Sequence, residues 1–303
     1  MSFAAALLGW LLEPFQLEVQ RRALVEVILA GGAGGVLGCH VVLRRLGFMS
    51  DALSHAVLPG VVFAFLAAGA AYILYGALAA GLIGAVAIAL IARERRLQQD
   101  AAVGIVLTGG FALGVVLIST LRSYAAVLED FLFGNVLLVS SEDLALTAAL
   151  AAAVLGVLLV FHRRFVLRAF DPDTADAMGL HGLALDLLLL VLLAATVVVS
   201  LRAIGNILAV AFLITPAATA RLLTKRVPAM MATAGVIGAG TGAAGLEAAY
   251  HLDLAAGALI VCLATVAFGA VLLLRPRRGA LVLALRRERS PGAAAGRATT
   301  HGH

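Results

Sequence analysis

The stretch Ser50-Asp51-Ala52-Leu53-Ser54-His55-Ala56-Val57-Leu58-Pro59-Gly60 carries a carboxylate and an imidazole four residues apart. On a helix that spacing is ~400° of rotation, so Asp51 and His55 stand ~40° apart on one face, one turn apart. A carboxylate oxygen and an imidazole nitrogen so placed can meet one divalent cation. Mn²⁺, Fe²⁺ and Zn²⁺ all accept this mix of oxygen and nitrogen, so the ligand types leave the ion open. Ser50 and Ser54 stand beside the pair as candidate hydrogen-bond partners of the ligands. The same residues also suit a plain helix start, with Ser50 as cap, Asp51 complementing the dipole and His55 bonded to Asp51.

Two further stretches could act mechanically. In Phe170-Asp171-Pro172-Asp173-Thr174-Ala175-Asp176-Ala177-Met178-Gly179-Leu180, Asp171 before Pro172 reads as cap then first helical residue, and Gly179 as the stop. That predicts a helix of about two turns, either a surface connector or a docking knob for a cytoplasmic partner. In Thr215-Pro216-Ala217-Ala218-Thr219-Ala220-Arg221, Pro216 removes a helix hydrogen bond and predicts a kink, with Thr215 and Thr219 able to satisfy freed carbonyls. His251 and Asp253 are two apart, so on a helix they diverge and do not share an ion. Glu247 lies near a span end, at the lipid interface or on the path. His40, His162 and His181 read as isolated interface residues, and Cys39 and Cys262 as small core residues without a partner motif.

The elements that must hold these residues are set by composition. Of 303 residues, 63% are hydrophobic and 13% are charged. The charged share is about half the ~25% of an ordinary soluble domain. Too few polar groups remain to cover a water-soluble globule, which excludes a soluble enzyme, a secreted disulfide scaffold and a disordered chain. The fold class is therefore an all-α polytopic membrane protein. Apolar runs predict spans over 23–43, 52–68, 71–92, 101–120, 144–162, 183–201, 204–223, 229–248 and 254–274. That is nine, or eight if one is a half-helix. Residues 1–12 lack the basic start and cleavage site of a signal peptide.

With nine spans, the clusters Arg44-Arg45, Arg93 to Arg96, Arg163-Arg164 with Arg168, Arg221 with Lys225-Arg226, and Arg275 to Arg278 fall on one face. The positive-inside rule makes that face cytoplasmic, so the net charge of +5 implies sidedness and no nucleic-acid partner. Arg21-Arg22 falls outside. Residues 1–20 are expected to form an interfacial segment, 21–278 a single transmembrane domain, and 279–303 a flexible cytoplasmic tail. The loop 121–143 is apolar enough to be an interfacial helix, with Ser141 capping the helix after it and Glu142 and Asp143 in its first turn. Lys225 is the one lysine and lacks the glycines of a phosphate-binding loop, so any ATP energy must come from another subunit.

Taken together, these stretches resemble the ABC-3 family, the membrane permeases of bacterial zinc, manganese and iron importers. The resemblance rests on Val42 to Arg45 with Met49 to Gly60, Asp100 to Ile105, Leu132 to Asn135 with Ser141 to Leu144, Phe170 to Leu180, Ala211 to Leu223, and Leu252 to Leu254 with Gly257. Ser50 stands where the family usually has glycine, Asn135 where aspartate is common, and Ala255 where proline is expected. The resemblance implies a type-II-like metal importer permease fold in the bacterial plasma membrane. It implies a second permease copy in a homodimer or heterodimer, cytoplasmic ABC ATPase subunits, an extracytoplasmic metal-binding protein and surrounding membrane lipid. It also implies that Asp51 and His55 contact the transported metal, and that Asp171, Pro172, Ala175, Met178 and Gly179 belong to the ATPase-coupling region. The metal is cargo, and no permanently bound cofactor is expected. The alternatives are a permease for a metal chelate or cofactor, a stand-alone secondary metal transporter, and an intramembrane metalloenzyme. The last usually needs three protein ligands, and only two cluster here.

Overall fold

A computed structural model describes residues 14–69, 72–92, 99–119, 137 and 139–274. After a short 3₁₀ turn at Pro14–Gln16, the helices are α1 Glu18–Leu43, α2 Gly47–Ala56, α3 Leu58–Ala68, α4 Ile73–Ile91, α5 Gln99–Ile118 and α6 Ser141–Val160. They continue as α7 His162–Phe170, α8 Pro172–Ala177, α9 Gly182–Ile204, α10 Asn206–Leu223, α11 Val227–Leu252 and α12 Ala256–Leu274. Among the described residues, nine helical segments are long and apolar enough to cross a membrane, with α2 and α3 together forming one, Gly47–Ala68. Trp10, Glu13, residues 120–136 and the chain from Arg275 onward lie outside the described residues.

The helix starts depart from the spans read off hydropathy. Helix α1 begins at Glu18, five residues before position 23, so residues 18–20 form its first turn. Glu18 pairs with Arg22 one turn on, and this polar pair extends the helix beyond its apolar run. The second span begins at Gly47, five residues before position 52. The chain reverses over Arg44 to Leu46, where Arg45 is left-handed at φ 59° and Leu46 N–H donates to Val41 C=O at 2.8 Å. Ser50 and Asp51 therefore lie within a helix, and the N-cap position is Leu46. At the sixth helix, Ser140 is the cap, one residue before the expected Ser141. Its hydroxyl accepts from Asp143 N–H, and the Asp143 carboxylate accepts from Ser140 N–H.

The second span is broken at Val57. Pro59 has no N–H, so the carbonyl of His55 loses its donor four residues ahead. The ladder restarts with Gly60 and Val61 both donating to Val57 C=O, at 3.0 and 3.1 Å. An irregular joint thus falls two residues after His55.

Helix α1 is the centre of the bundle, and its glycines explain why. Gly31 and Gly35 are four apart and face α11, where added Cβ atoms would strike the backbone of Gly238 and Ala234. Gly34 and Gly38 are also four apart and face α10, at the backbone of Phe212 and Leu213. Two small-residue stripes on one helix let two neighbours approach closely, which is how helices associate when lipid supplies no hydrophobic drive. Gly60 and Gly76 bring α3 and α4 together in the same way. The main apolar core joins α1, α2, α4, α9 and α10 through Leu37, Leu53, Ile88, Leu193 and Leu213. Large exposed apolar side chains such as Phe63, Ile83 and Val236 lie on outer faces, where lipid is the solvent. Cys39 is in the core as expected, but Cys262 is exposed on α12.

Candidate metal path and cytoplasmic contact region

Helix α2 sets Asp51 and His55 on the same face, with Asp51 Oδ1 3.6 Å from His55 Nε2. That is too long for a hydrogen bond. It suits two ligands of one ion, since at metal–ligand distances of roughly 2.1 Å the gap subtends about 115–120°. Both side chains stay partly accessible, the carboxylate more than the imidazole. Ser50 and Ser54 do not bond the side chains of Asp51 or His55. Each donates to a backbone carbonyl three residues back, to Gly47 at 2.8 Å and to Asp51 at 2.7 Å. The second of these tightens the turn between the two ligands. The imidazole is set by packing, with the Phe111 ring of α5 edge-on at 5.1 Å between centroids. Among the described residues no group of three or more histidine, cysteine or acidic side chains could hold a metal. Two candidate ligands from one chain would leave the rest of an ion's shell to water or to another chain.

The segment 170–180 folds as its residues predict. Asp171 caps α8 by accepting from Thr174 N–H at 3.0 Å, and Pro172 opens the helix. The Thr174 side chain first, and then this backbone bond, hold the Asp171 carboxyl below its ordinary range. Gly179 at φ 74° ends it, with Leu180 N–H on Ala175 C=O at 3.1 Å and Gly179 N–H on Asp176 C=O at 3.0 Å. The five residues then part company. Ala175 is fully buried, so it seats α8 on the bundle and offers nothing to a partner. Met178 is 68% exposed and Phe170 59% exposed, so two large apolar side chains flank the short helix. Phe170 was not singled out as a contact residue, though an exposed aromatic beside a capped helix is the signal for one.

Beneath α8 lies an ionic cluster that no local motif announced. Asp186 on α9 accepts from Arg44 Nη1 at 2.5 Å and from Arg168 Nη2 at 3.3 Å. Arg168 Nη1 also reaches Asp176 of α8 at 2.9 Å. Burial pulls Arg44 below the ordinary guanidinium value, against the opposing pull of Asp186. Arg168 ends above its ordinary value, because its bonds to Asp186 and Asp176 outweigh its desolvation. The four residues are separated by up to 142 positions, so only the fold could join them.

Glu247 and His251 are paired at 3.2 Å on α11, with the i,i+4 spacing of Asp51 and His55. Asp253, the partner weighed from sequence, is left-handed at φ 53° and ends the helix. The same spacing rule would have found Glu247. His40 is fully buried against Phe165 and the ring of His162, not at an interface. Glu26 is buried on α1 and accepts from Thr147 at 2.8 Å. Helix α10 continues through Pro216 as one element, and Thr219 donates to Thr215 C=O at 2.7 Å. The carbonyl that Pro216 frees is that of Phe212, which lies beside Gly34.

Nine membrane-spanning segments among the described residues, one of them carrying the Asp51/His55 pair, define a multi-pass membrane protein. The chain belongs to the ABC 3 transport family, whose model matches residues 16–275. It is 41% identical over 261 residues to the manganese transport system membrane protein MntC of Halalkalibacterium halodurans, covering 86% of this chain and 89% of that one. It is 38% identical over 255 residues to a probable iron transport system membrane protein of Haemophilus influenzae, covering 84% and 93%. Among solved structures, PsaBC from Streptococcus pneumoniae in complex with Fab superposes at a TM-score of 0.79 with 34% identity, covering 93% of this chain and 100% of that chain. An inward-facing putative metal-chelate type ABC transporter shares the fold at a TM-score of 0.66 and 17% identity, covering 82% and 84%. The chain is thus a permease of the bacterial plasma membrane.

Proposed function

We propose that this chain is the membrane permease of an ATP-driven importer for a divalent transition metal, with manganese or iron as cargo. The carrying observation is the Asp51/His55 pair, 3.6 Å apart and partly open, in a span otherwise almost free of ionisable groups. Relatives named for manganese and iron transport support the choice of cargo. The ion passes between these two side chains, and a second permease copy supplies the matching pair. Two ligands per chain hold an ion weakly enough to release it. An extracytoplasmic binding protein delivers the ion. The joint at Val57 lets the half-span that carries the ligands tilt against α3, and the freed carbonyl in α10 gives a second soft point.

No phosphate-binding loop is present in the sequence, so ATP is hydrolysed by cytoplasmic partner subunits. They dock on α8 through Met178 and Phe170, with Asp171, Pro172 and Gly179 fixing the helix ends and Ala175 its seat. The test is ⁵⁴Mn²⁺ uptake by cells in which Asp51→Ala or His55→Ala replaces the parent chain. Both variants should assemble in the membrane and lose uptake. Uptake at the parent rate by an assembled variant would overturn the assignment.

A further inference from the structure

Movement of α8 can drive transport only if it reaches Asp51 and His55. Asp51 lies on α2, and among the described residues no side-chain hydrogen bond or ion pair joins α8 to α2. We infer that Asp186 is the positioning residue that ties the two, an inference that rests on α8 being the ATPase docking helix.

Three observations converge on it. The first is connectivity. Asp176 of α8 holds Arg168 at 2.9 Å, Arg168 holds Asp186 at 3.3 Å, and Asp186 holds Arg44 at 2.5 Å. Arg44 sits in the reverse turn that ends α1 and starts α2, seven residues before Asp51. A single carboxylate therefore bonds the turn that aims the metal ligands and the arginine that follows α8.

The second is that the link is not saturated. Arg44 is nine-tenths buried, and its Nε and Nη2 have no hydrogen-bond partner. Those two donors form the side-on fork that a carboxylate can bridge with two bonds. Arg168 divides its donors between Asp176 and Asp186. When α8 carries Arg168 away, Asp186 can close onto the open fork of Arg44, so the cluster has two pairings. Two discrete arrangements are what a coupling element requires.

The third is room. A cavity of about 430 Å³ lies between these elements, bordered by Arg44, Met49, Ala92, Arg168, Pro172 and Asp186. It lets α7 and α8 shift against α9 and α2 without steric overlap. Gly182 opens α9 beside the cluster, and a Cβ there would lie 2.5 Å from Arg168 Nη2. The missing side chain leaves space for the guanidinium to rest against α9 and reach Asp186.

The test uses the complete complex of permease, ATPase and binding protein in nanodiscs, reading the ratio of ATPase turnover with and without Mn²⁺-loaded binding protein. Asp186→Asn should keep the ATPase subunits bound and the basal turnover, while stimulation falls about tenfold. Asp186→Glu should restore much of it, which a merely space-filling role would not predict. Gly182→Ala removes no charge and favours the helix, yet should lower stimulation by displacing Arg168, and it decides the matter if Asp186→Asn does not assemble. Asp173→Asn, which removes an exposed acid of α8 outside the cluster, should have no effect. Parent-level stimulation in both Asp186→Asn and Gly182→Ala would overturn the inference. The docking reading has its own arm: Met178→Arg should release the ATPase subunits. Full ATPase retention by Met178→Arg would refute docking on α8, whatever Asp186 does.

Discussion

The ring of Phe111 on α5 stands edge-on to the imidazole of His55 on α2, with 5.1 Å between centroids and 80° between planes. Nδ1 of His55 has no hydrogen-bond partner, so packing against the aromatic ring orients this side of the imidazole. Packing against an aromatic edge holds Nε2 toward Asp51.

Removing that edge should loosen the ligand without deleting it. Phe111→Ala is expected to raise the KM for Mn²⁺ uptake about tenfold, the low end for loss of a ligand-orienting partner. The maximal rate should change less than in His55→Ala. Uptake kinetics on equal amounts of membrane-inserted protein measure both. A parent-like KM would show that Phe111 does not set the imidazole.

The closest helix contact makes a stability prediction. An added Cβ on Gly38 of α1 would fall on the carbonyl of Leu213 of α10, a rigid backbone atom that cannot yield. Gly38→Ala should therefore cost about 1–3 kcal/mol through overpacking. Gly104→Ala on α5, where nothing lies within 4 Å, should be neutral or slightly favourable. Thermal unfolding of the detergent-solubilised protein distinguishes them, with only Gly38→Ala lowering Tm.

The cap of α8 should depend on pH in a stated direction. The bonds from Thr174 hold the Asp171 carboxyl below its ordinary value of 3.8. A group whose folded pKa is depressed stabilises the helix fully above the unfolded value and loses that effect as pH falls through the lower folded value. Protection of the α8 amides against hydrogen exchange should thus be flat above pH 5 and fall below the ordinary value. Asp171→Asn keeps a capping oxygen and should remove the pH dependence, whereas Asp171→Ala should lower protection at every pH. A pH profile unchanged by Asp171→Asn would contradict the assignment of the cap.

Much of this protein is legible without coordinates, because the governing forces are local or one-dimensional. Lipid admits only segments that satisfy their own backbone, so apolar runs marked the spans, apart from helix ends such as Glu18 and Gly47 where polar pairs or a tight turn extended them. Helical spacing put Asp51 beside His55, and cap residues marked α8 from Asp171 to Gly179. The same i,i+4 spacing joins Glu247 to His251.

What the linear chain could not reveal depends on neighbours distant in sequence. Ala175 and Met178 are three apart on one short segment, yet one is buried and the other exposed, because only the packing of α8 on the bundle chooses a face. Phe111 comes to His55 from another helix. Asp186 gathers Arg44 and Arg168 from two others, across 142 and 18 positions. Spacing along the chain fixes which residues share a helix face. Which faces meet is decided by close packing in three dimensions, here by the glycine stripes of α1 that draw α10 and α11 together.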